Sequence, residues 1–171
     1  VTIDGDGQHD GFDLQRLEQV AIRDSNAVII AARLQERHQA PPLRRFANKV
    51  ADFWISWACG QRIQDTQSGF RLYPAAVLLK MTEAMRIKDF AFETGLLIDA
   101  VRAGARVRMI SITTRYSVEG RASHYRPWLD TWSIIRLVGA ELLRRRMYLS
   151  GLVCALRSDP RIDSVTGQSL H

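Results

Sequence analysis

A continuous apolar run at Ala27–Ala32 is the feature that most constrains the fold of this chain. Strands buried on both faces are unbroken apolar runs, and they belong to parallel sheets covered by helices. Apolar residues recur at helical intervals on both sides of the run, in residues 12–22 and 43–58. The pattern therefore predicts an α/β protein with a largely parallel sheet.

The rest of the chain predicts further elements of the same kind. We expect helices at 75–84, 89–102 and 128–143, and a strand at 107–112. With 171 residues the chain has room for one domain with a core, which we place at residues 1–150. Residues 151–171 are expected to form a polar, disordered tail. The chain opens on a strand-like segment, and the earlier strands of such a sheet are expected to be missing.

Two carboxylates and an amide alternate in the opening segment, at Asp4, Asp6 and Gln8. In an extended segment alternate side chains point the same way, so the three would present oxygen atoms together. Mg²⁺ and Mn²⁺ prefer such ligands and often share them with substrate phosphates, which predicts a metal–diphosphate site. Three alternatives stay open: a solvated turn without metal, a poorly spaced EF-hand-type calcium loop, and the aspartate nucleophile of an unrelated hydrolase.

Two arginines stand where a phosphate would be met. Arg33 directly follows the buried strand, and ligands of open α/β sheets gather outside the carboxyl ends of the strands. Arg44 lies in the first turn of the second helix, where the helix dipole favours acidic residues, so we expect an anion to compensate it. For each, an ordinary surface arginine is an equally good interpretation.

Two loops are candidates for chemistry. Residues Asp65–Arg71 combine an acid, hydroxyl side chains, a glycine and an arginine in a tight turn. Loops with such groups on a rigid scaffold often carry function. Residues 115–126 are polar and mixed, and they predict a mobile loop over a site.

The net charge of +6 favours anionic partners, such as a nucleotide diphosphate or lipid headgroups. Nucleic acid is the weakest candidate, because no recognition motif with interleaved aromatic residues accompanies the charge. The run Arg144–Arg146 fits an interfacial helix on an anionic leaflet, or a helix end whose cations complement the dipole. No apolar run reaches the ~18 residues that span a bilayer. Cys59 and Cys154 are expected to be buried thiols of a cytosolic protein.

Five motifs, in order, resemble those of the family 2 glycosyltransferases with the GT-A fold. Within that family they are similar to the group of dolichol-phosphate mannose synthases and bacterial polyprenyl-phosphate glycosyltransferases. The motifs are the DxDxQH-like Asp4–His9, the strand Val28–Arg33, the D-x-x-SGFR-like Asp65–Arg71, the acidic Phe92-Glu93 and the Ser-His element Gly120–Arg126. Each motif alone is weak, and the ordered combination is specific. The resemblance implies a Rossmann-like, mixed and mostly parallel sheet flanked by helices, with its first strands missing.

The resemblance implies transfer of a sugar, with inversion, from a UDP- or GDP-linked donor to a polyprenyl phosphate or glycan acceptor. It implies that Asp4, Asp6 and Gln8 hold Mg²⁺ or Mn²⁺ at the donor diphosphate, where the metal offsets charge on the leaving nucleotide. Asp65 and Asp6 would be catalytic, with Asp65 orienting or deprotonating the acceptor. The implied donor- or phosphate-binding residues are Arg33, Arg44, Arg71, Arg121, Ser123 and His124.

Some features depart from the family pattern or stay open. Ala31-Ala32 stand where the family has Gly-Ser before the arginine. The N-terminal half with the nucleotide-base pocket is expected to be missing, so the alternative is a truncated, inactive domain that serves as a binding or interaction module. Glu93 is either a site residue or the structural partner of a loop arginine. An enzyme of this kind is expected in the cytoplasm, with peripheral contact at the inner face of the cytoplasmic membrane.

Overall fold

The computed structural model describes residues 1–3, 11–35, 41–79, 92–113 and 127–163. Its elements follow along the chain as α1 (Gly11–Arg23), β1 (Ala27–Ala32), α2 (Pro42–Cys59), β2 (Arg71–Leu72), α3 (Ala75–Leu78), α4 (Phe92–Arg102), β3 (Arg106–Ser111), α5 (Pro127–Arg144), α6 (Leu149–Arg157) and β4 (Ile162–Asp163). The predicted strands and the longer predicted helices lie within a few residues of these bounds. The helix predicted at 75–84 corresponds to α3, and its second half falls largely on residues outside the described ranges.

The four strands form one sheet in the order β2-β1-β3-β4. β1 and β3 are parallel, β3 and β4 are parallel, and β2 is antiparallel to β1. Helices cover the sheet, so the prediction of an α/β protein with a mixed, mostly parallel sheet is confirmed. The arrangement is consistent with a Rossmann-like fold.

β1 is the centre of the core, because every one of its side chains is buried. Alternate side chains of a strand point to opposite faces, and the two faces of β1 enter two apolar clusters. One face packs with α2, α4 and α5, through Val28, Ile30, Ala32, Ile55, Leu97 and Val138. The other face packs with α1, through Ala27, Ile29, Ala31, Leu17 and Val20. The unbroken apolar run thus reflects burial from both sides.

The first three residues extend the sheet beyond β2. The Thr2 amide donates to the Arg71 carbonyl at 2.9 Å, and the Arg71 amide donates to the Thr2 carbonyl at 3.0 Å. This bridge is antiparallel. Because β2 is itself antiparallel to β1, the segment runs in the same direction as β1. Ile3 therefore lies towards the edge of the sheet at which β1 ends.

The predicted boundary at residue 150 and the disordered tail are wrong for residues 151–163. α6 packs against α2 with Gly151 and Ala155 buried. β4 pairs with β3, and Arg108 Nε donates to Asp163 Oδ2 at 2.7 Å. The segment Leu149–Arg157 is apolar over most of its length, so its assignment to a polar tail overlooked a helix signal that the sequence carries. Residues 164–171 lie outside the described ranges.

The arginine run at the end of α5 divides its side chains between two environments. Arg145 turns inward, where Nη1 donates to the Ala58 carbonyl at 2.9 Å and the guanidinium lies 3.7 Å from the centre of the Tyr148 ring. It thus satisfies a carbonyl near the C-terminus of α2, where cations are favoured. Arg144 and Arg146 are exposed. The run therefore complements a helix end through one residue and presents two charges to solvent.

Two further predictions concern the thiols and the membrane. Cys59 is buried as predicted, whereas Cys154 is exposed on α6, so the prediction of two buried thiols is wrong for the second. Both cysteines are free. Among the described residues, no helix combines the length and the apolar content that crossing a membrane requires.

Candidate functional site

The structure joins two predicted site residues at the carboxyl end of β1. The Arg33 backbone amide donates to Asp65 Oδ2 at 2.8 Å. The Arg33 side chain donates to the same carboxylate twice, from Nε to Oδ2 at 3.1 Å and from Nη2 to Oδ1 at 3.2 Å. Paired guanidinium–carboxylate bonds of this kind fix both groups in orientation as well as in distance. Arg33 keeps 23% of its side chain exposed while Asp65 keeps 3%, so the pair has its arginine on the solvent side.

Asp65 adopts a backbone conformation that needs support. Its φ is +53°, in the left-handed region that residues with a Cβ seldom occupy. The support comes from Asp52 in α2. One Asp52 oxygen accepts the Asp65 amide at 3.3 Å, and the other accepts the Thr66 amide at 2.9 Å and the Thr66 hydroxyl at 2.8 Å. The turn is therefore held to α2 by a buried carboxylate.

The same loop is hydrogen-bonded to β1, and the segment just before it is hydrogen-bonded to α2. The Ser68 hydroxyl donates to the Ala31 carbonyl at 2.6 Å. The Ser56 hydroxyl, one turn after Asp52, accepts the Ile63 amide at 2.9 Å. Sequence reasoning missed Asp52. The available signal was a pair of polar residues, Asp52 and Ser56, four positions apart on the buried side of an otherwise apolar helix.

Arg71 lies inside the loop, and this placement corrects its predicted role in phosphate binding. Its side chain is 1% exposed. Its guanidinium donates to the Ser68 carbonyl at 2.7 Å, to the Thr66 carbonyl at 2.6 Å and to the Glu93 carbonyl at 2.9 Å. A planar group with five N–H donors suits such convergent carbonyls. Arg71 therefore shapes the loop from within and is not placed to meet a substrate phosphate.

Glu93 is drawn into the same network. Its carboxylate Oε2 lies 3.6 Å from Arg71 Nη2, so the interpretation of Glu93 as the structural partner of an arginine fits its position. Tyr73 completes the surroundings, and its hydroxyl accepts from Arg71 Nη1 at 3.2 Å. Burial raises the pKa of Tyr73 above its ordinary value, and the neighbouring Arg71 cation offsets only part of that rise.

Arg44 is exposed in the first turn of α2. It lies two helical turns before Asp52, about 12 Å along the helix axis at 1.5 Å per residue. Its predicted role in phosphate binding stays a prediction.

Six other predicted site residues lie outside the described residues: Asp4, Asp6, Gln8, Arg121, Ser123 and His124. Within the described ranges, no three His, Cys, Asp or Glu side chains are grouped so that they could hold a metal ion. The predicted metal site therefore depends on the opening segment. That segment follows Ile3, which lies towards the same edge of the sheet as Arg33.

The fold and the site together define an α/β protein whose polar loop, Asp65–Arg71, is clamped at the carboxyl end of its central strand. The chain is 28% identical over 120 residues to the UDP-N-acetylglucosamine–dolichyl-phosphate N-acetylglucosaminyltransferase of Methanococcus voltae, a match that covers 68% of this chain and 48% of that protein. It is 22% identical over 120 residues to an uncharacterised protein of Methanocaldococcus jannaschii, covering 68% of this chain and 49% of that protein. The chain thus spans about half the length of these curated relatives.

No protein-family model matches the chain, and no solved structure matches it.

Proposed function

We propose that this chain is part of a glycosyltransferase that moves a sugar from a nucleotide-diphosphate donor to a polyprenyl phosphate. The observation that carries the proposal is the similarity to the Methanococcus voltae enzyme, whose name specifies a UDP-linked sugar donor and a dolichyl-phosphate acceptor. The motif resemblance to family 2 glycosyltransferases supports the same activity, with inversion at the sugar carbon. The proposal also includes a glycan as the acceptor and a GDP-linked sugar as the donor.

The metal in this proposal is Mg²⁺ or Mn²⁺, held by Asp4, Asp6 and Gln8. Carboxylate and amide oxygens fit such a hard cation. The direction of Val1–Ile3 supports the assignment, because it carries the chain towards the edge where Arg33 and Asp65 meet. When bound, the ion would neutralise negative charge on the departing nucleotide diphosphate.

The described residues supply positioning and charge. Arg33, oriented by Asp65 and partly exposed, would contact a donor or acceptor phosphate, since a guanidinium fork suits phosphate oxygens. Asp65, whose side chain is 3% exposed, would orient the acceptor through Arg33. A phosphate acceptor is already ionised and needs no strong base, so orientation is the role that its fixed geometry supports best. Arg44, Arg121, Ser123 and His124 would add further donor or phosphate contacts, and Asp6 would serve catalysis through the metal.

The proposal includes peripheral contact with the inner face of the cytoplasmic membrane, where a polyprenyl phosphate would be met. Exposed apolar side chains stand beside the two exposed arginines at the junction of α5 and α6. Leu143 is 70% exposed and Leu149 66%, and Arg144 and Arg146 flank the same turn. Apolar side chains together with cations favour binding to anionic lipid surfaces.

Calorimetry on the product of the complete reading frame tests the proposal. UDP or GDP should bind in the presence of Mn²⁺, and binding should weaken at least about tenfold when chelator replaces the metal, because the diphosphate would lose its counter-charge. A labelled nucleotide sugar should then transfer its sugar to a polyprenyl phosphate in detergent.

Asp6→Asn should abolish both the metal dependence and the transfer. The matched control is Asp159→Asn, which removes a carboxylate between α6 and β4. Absence of nucleotide binding by the complete product would refute the enzyme proposal. Binding of nucleotide or lipid without any transfer would favour an interaction module instead.

A further inference from the structure

Asp52 is a buried carboxylate that none of the predicted roles includes. It lies in the middle of α2 with 8% of its surface exposed. We infer that Asp52 is a positioning residue, which sets the placement of the Asp65 carboxylate against Arg33 and thereby the geometry of the transfer step. The inference rests on the proposed function for its chemical consequence, and on the contacts of the loop for its structural part.

The Asp52 carboxylate accepts hydrogen bonds from the backbone of the loop. Two successive backbone amides, those of Asp65 and Thr66, donate to the two oxygens of the one Asp52 carboxylate at 3.3 and 2.9 Å. Successive amides that converge in this way form a small concave site for an anion. Here the anion is supplied by the protein itself. The carboxylate therefore fixes the peptide on both sides of the Asp65 side chain.

These hydrogen bonds stabilise an uncommon backbone conformation at Asp65. Asp65 has φ +53°, and aspartate adopts the left-handed region mainly where local hydrogen bonds support it. In this conformation its carboxylate accepts from the Arg33 amide and from both Nε and Nη2 of Arg33. Loss of the Asp52 contacts would leave both amides without their charged acceptor and loosen the backbone at Asp65, while the Ser68 amide still donates to the Asp65 carbonyl at 3.0 Å and Arg71 Nη2 to the Thr66 carbonyl. The Arg33–Asp65 pair would then be held less closely in place.

A second buried aspartate allows the placement of the loop to be separated from the general stability of the fold. Asp24 is also a buried aspartate, 7% exposed, and it accepts from Arg106 Nη2 at 2.6 Å. It precedes β1, so it lies at the opposite end of that strand from Arg33. Replacing either aspartate should destabilise the fold, but only Asp52 touches the loop that carries Asp65. Asp24→Asn is therefore the matched control for Asp52→Asn.

Amide-resolved hydrogen exchange on the product of the complete reading frame tests the placement without relying on activity. In Asp52→Asn the amides of Asp65 and Thr66 should exchange at least about tenfold faster, since both lose a charged acceptor. In Asp24→Asn these two amides should exchange as in the wild type. Unchanged exchange at both amides in Asp52→Asn would overturn the inference, whatever the activity of the protein.

Kinetics test the consequence for the reaction. Asp52→Asn should lower kcat for transfer to a polyprenyl phosphate by about 10- to 100-fold more than Asp24→Asn, with the donor KM within about twofold. Thr66→Val, which removes the hydroxyl that donates to Asp52, should lower kcat in the same direction. Thr66→Ser keeps that hydroxyl and should restore most of the rate.

The outcomes are distinguishable. Equal loss of kcat in the Asp52 and Asp24 variants would overturn the positioning role even if exchange at the loop is faster. A wild-type protein that neither binds a nucleotide nor transfers a sugar would refute the proposed function and, with it, the kinetic part of the inference. Hydrogen exchange would still decide whether Asp52 places Asp65.

Discussion

At the scale of single residues, two buried charged side chains hold the loop Asp65–Arg71 in its conformation. The Arg71 guanidinium donates to the carbonyls of Ser68, Thr66 and Glu93. The Asp52 carboxylate accepts from the amides of the neighbouring turn. A buried charge is tolerated when hydrogen bonds replace its lost hydration. The same loop thus has an internal cation for its carbonyls and an internal anion for its amides. Beside it, Arg33 keeps 23% of its side chain exposed and Glu93 keeps 38%.

The two thiols should differ in reactivity. Burial raises the pKa of Cys59 to about 12, and the nearby Arg71 and Arg145 only partly offset this, so the thiol stays protonated and shielded. Cys154 is exposed. At pH 8 we expect Ellman's reagent to titrate one thiol rapidly in the native protein and two in denaturant. Cys154→Ser should remove the rapid reaction, and two rapid thiols in the native state would contradict the structure.

The raised pKa of Cys59 also makes the free energy of unfolding depend on pH. Below pH 9 the thiol is protonated in both the folded and the unfolded state, so its contribution to the free energy of unfolding is constant. Above pH 9 the unfolded state loses this proton first, and stability falls by up to about 1.4 kcal/mol per pH unit. Urea unfolding between pH 8 and 10.5 should therefore show a steeper loss in the wild type than in Cys59→Ala.

At the scale of elements, the turn between α5 and α6 has an uncommon backbone conformation. Arg146, Met147 and Tyr148 all have positive φ, between 34° and 66°. Contacts of Tyr148 stabilise this turn. Its carbonyl accepts the Trp57 indole N–H at 3.2 Å, and its ring lies against Gly60 and Gly151. A Cβ on Gly151 would come within 2.0 Å of the ring, so this glycine is required by close approach.

Gly151→Ala should therefore loosen the packing of α6 on α2. The added methyl group cannot fit beside the Tyr148 ring, and overpacking of this kind costs about 1–3 kcal/mol or more. Gly139→Ala in α5 is the matched control, because a Cβ there meets nothing within 4 Å. Its higher helix propensity should stabilise the protein by about 0.5–1 kcal/mol. Chemical denaturation of both variants checks the prediction, and equal effects would contradict the close contact.

At the scale of the whole molecule, the sheet has two faces that different helices cover. α1 covers one face and α2, α4 and α5 cover the other. The exposed arginines and leucines of the α5–α6 junction belong to the second face. The end of α1, with the exposed Arg23, belongs to the first. The proposed contact with lipid therefore involves the side of the molecule that carries the α5–α6 junction.

Reversal of charge at the junction should weaken binding to anionic vesicles. Flotation with vesicles containing phosphatidylglycerol should show at least about tenfold weaker association for the double variant Arg144→Glu/Arg146→Glu, since each arginine near such a surface contributes about 1 kcal/mol. Arg23→Glu, on the opposite face of the sheet, is the control and should bind nearly as the wild type does. Equal binding by all three proteins would refute the proposed contact.

The sequence alone determined the class of fold, because the apolar run of β1 and the helical periodicity around it record burial directly. It also indicated Arg33 and Asp65 as site residues, since each follows from local position: one after a buried strand, the other in a polar turn. Tertiary structure decided which partners those residues have. The pairing of Arg33 with Asp65, the burial of Arg71, the hydrogen bonds of Asp52 and the inclusion of α6 and β4 in the fold all depend on contacts between residues far apart in the chain. A local pattern carries no record of such contacts, which is why Arg33 and Arg71, both predicted to bind phosphate, lie in different environments, one partly exposed and the other buried.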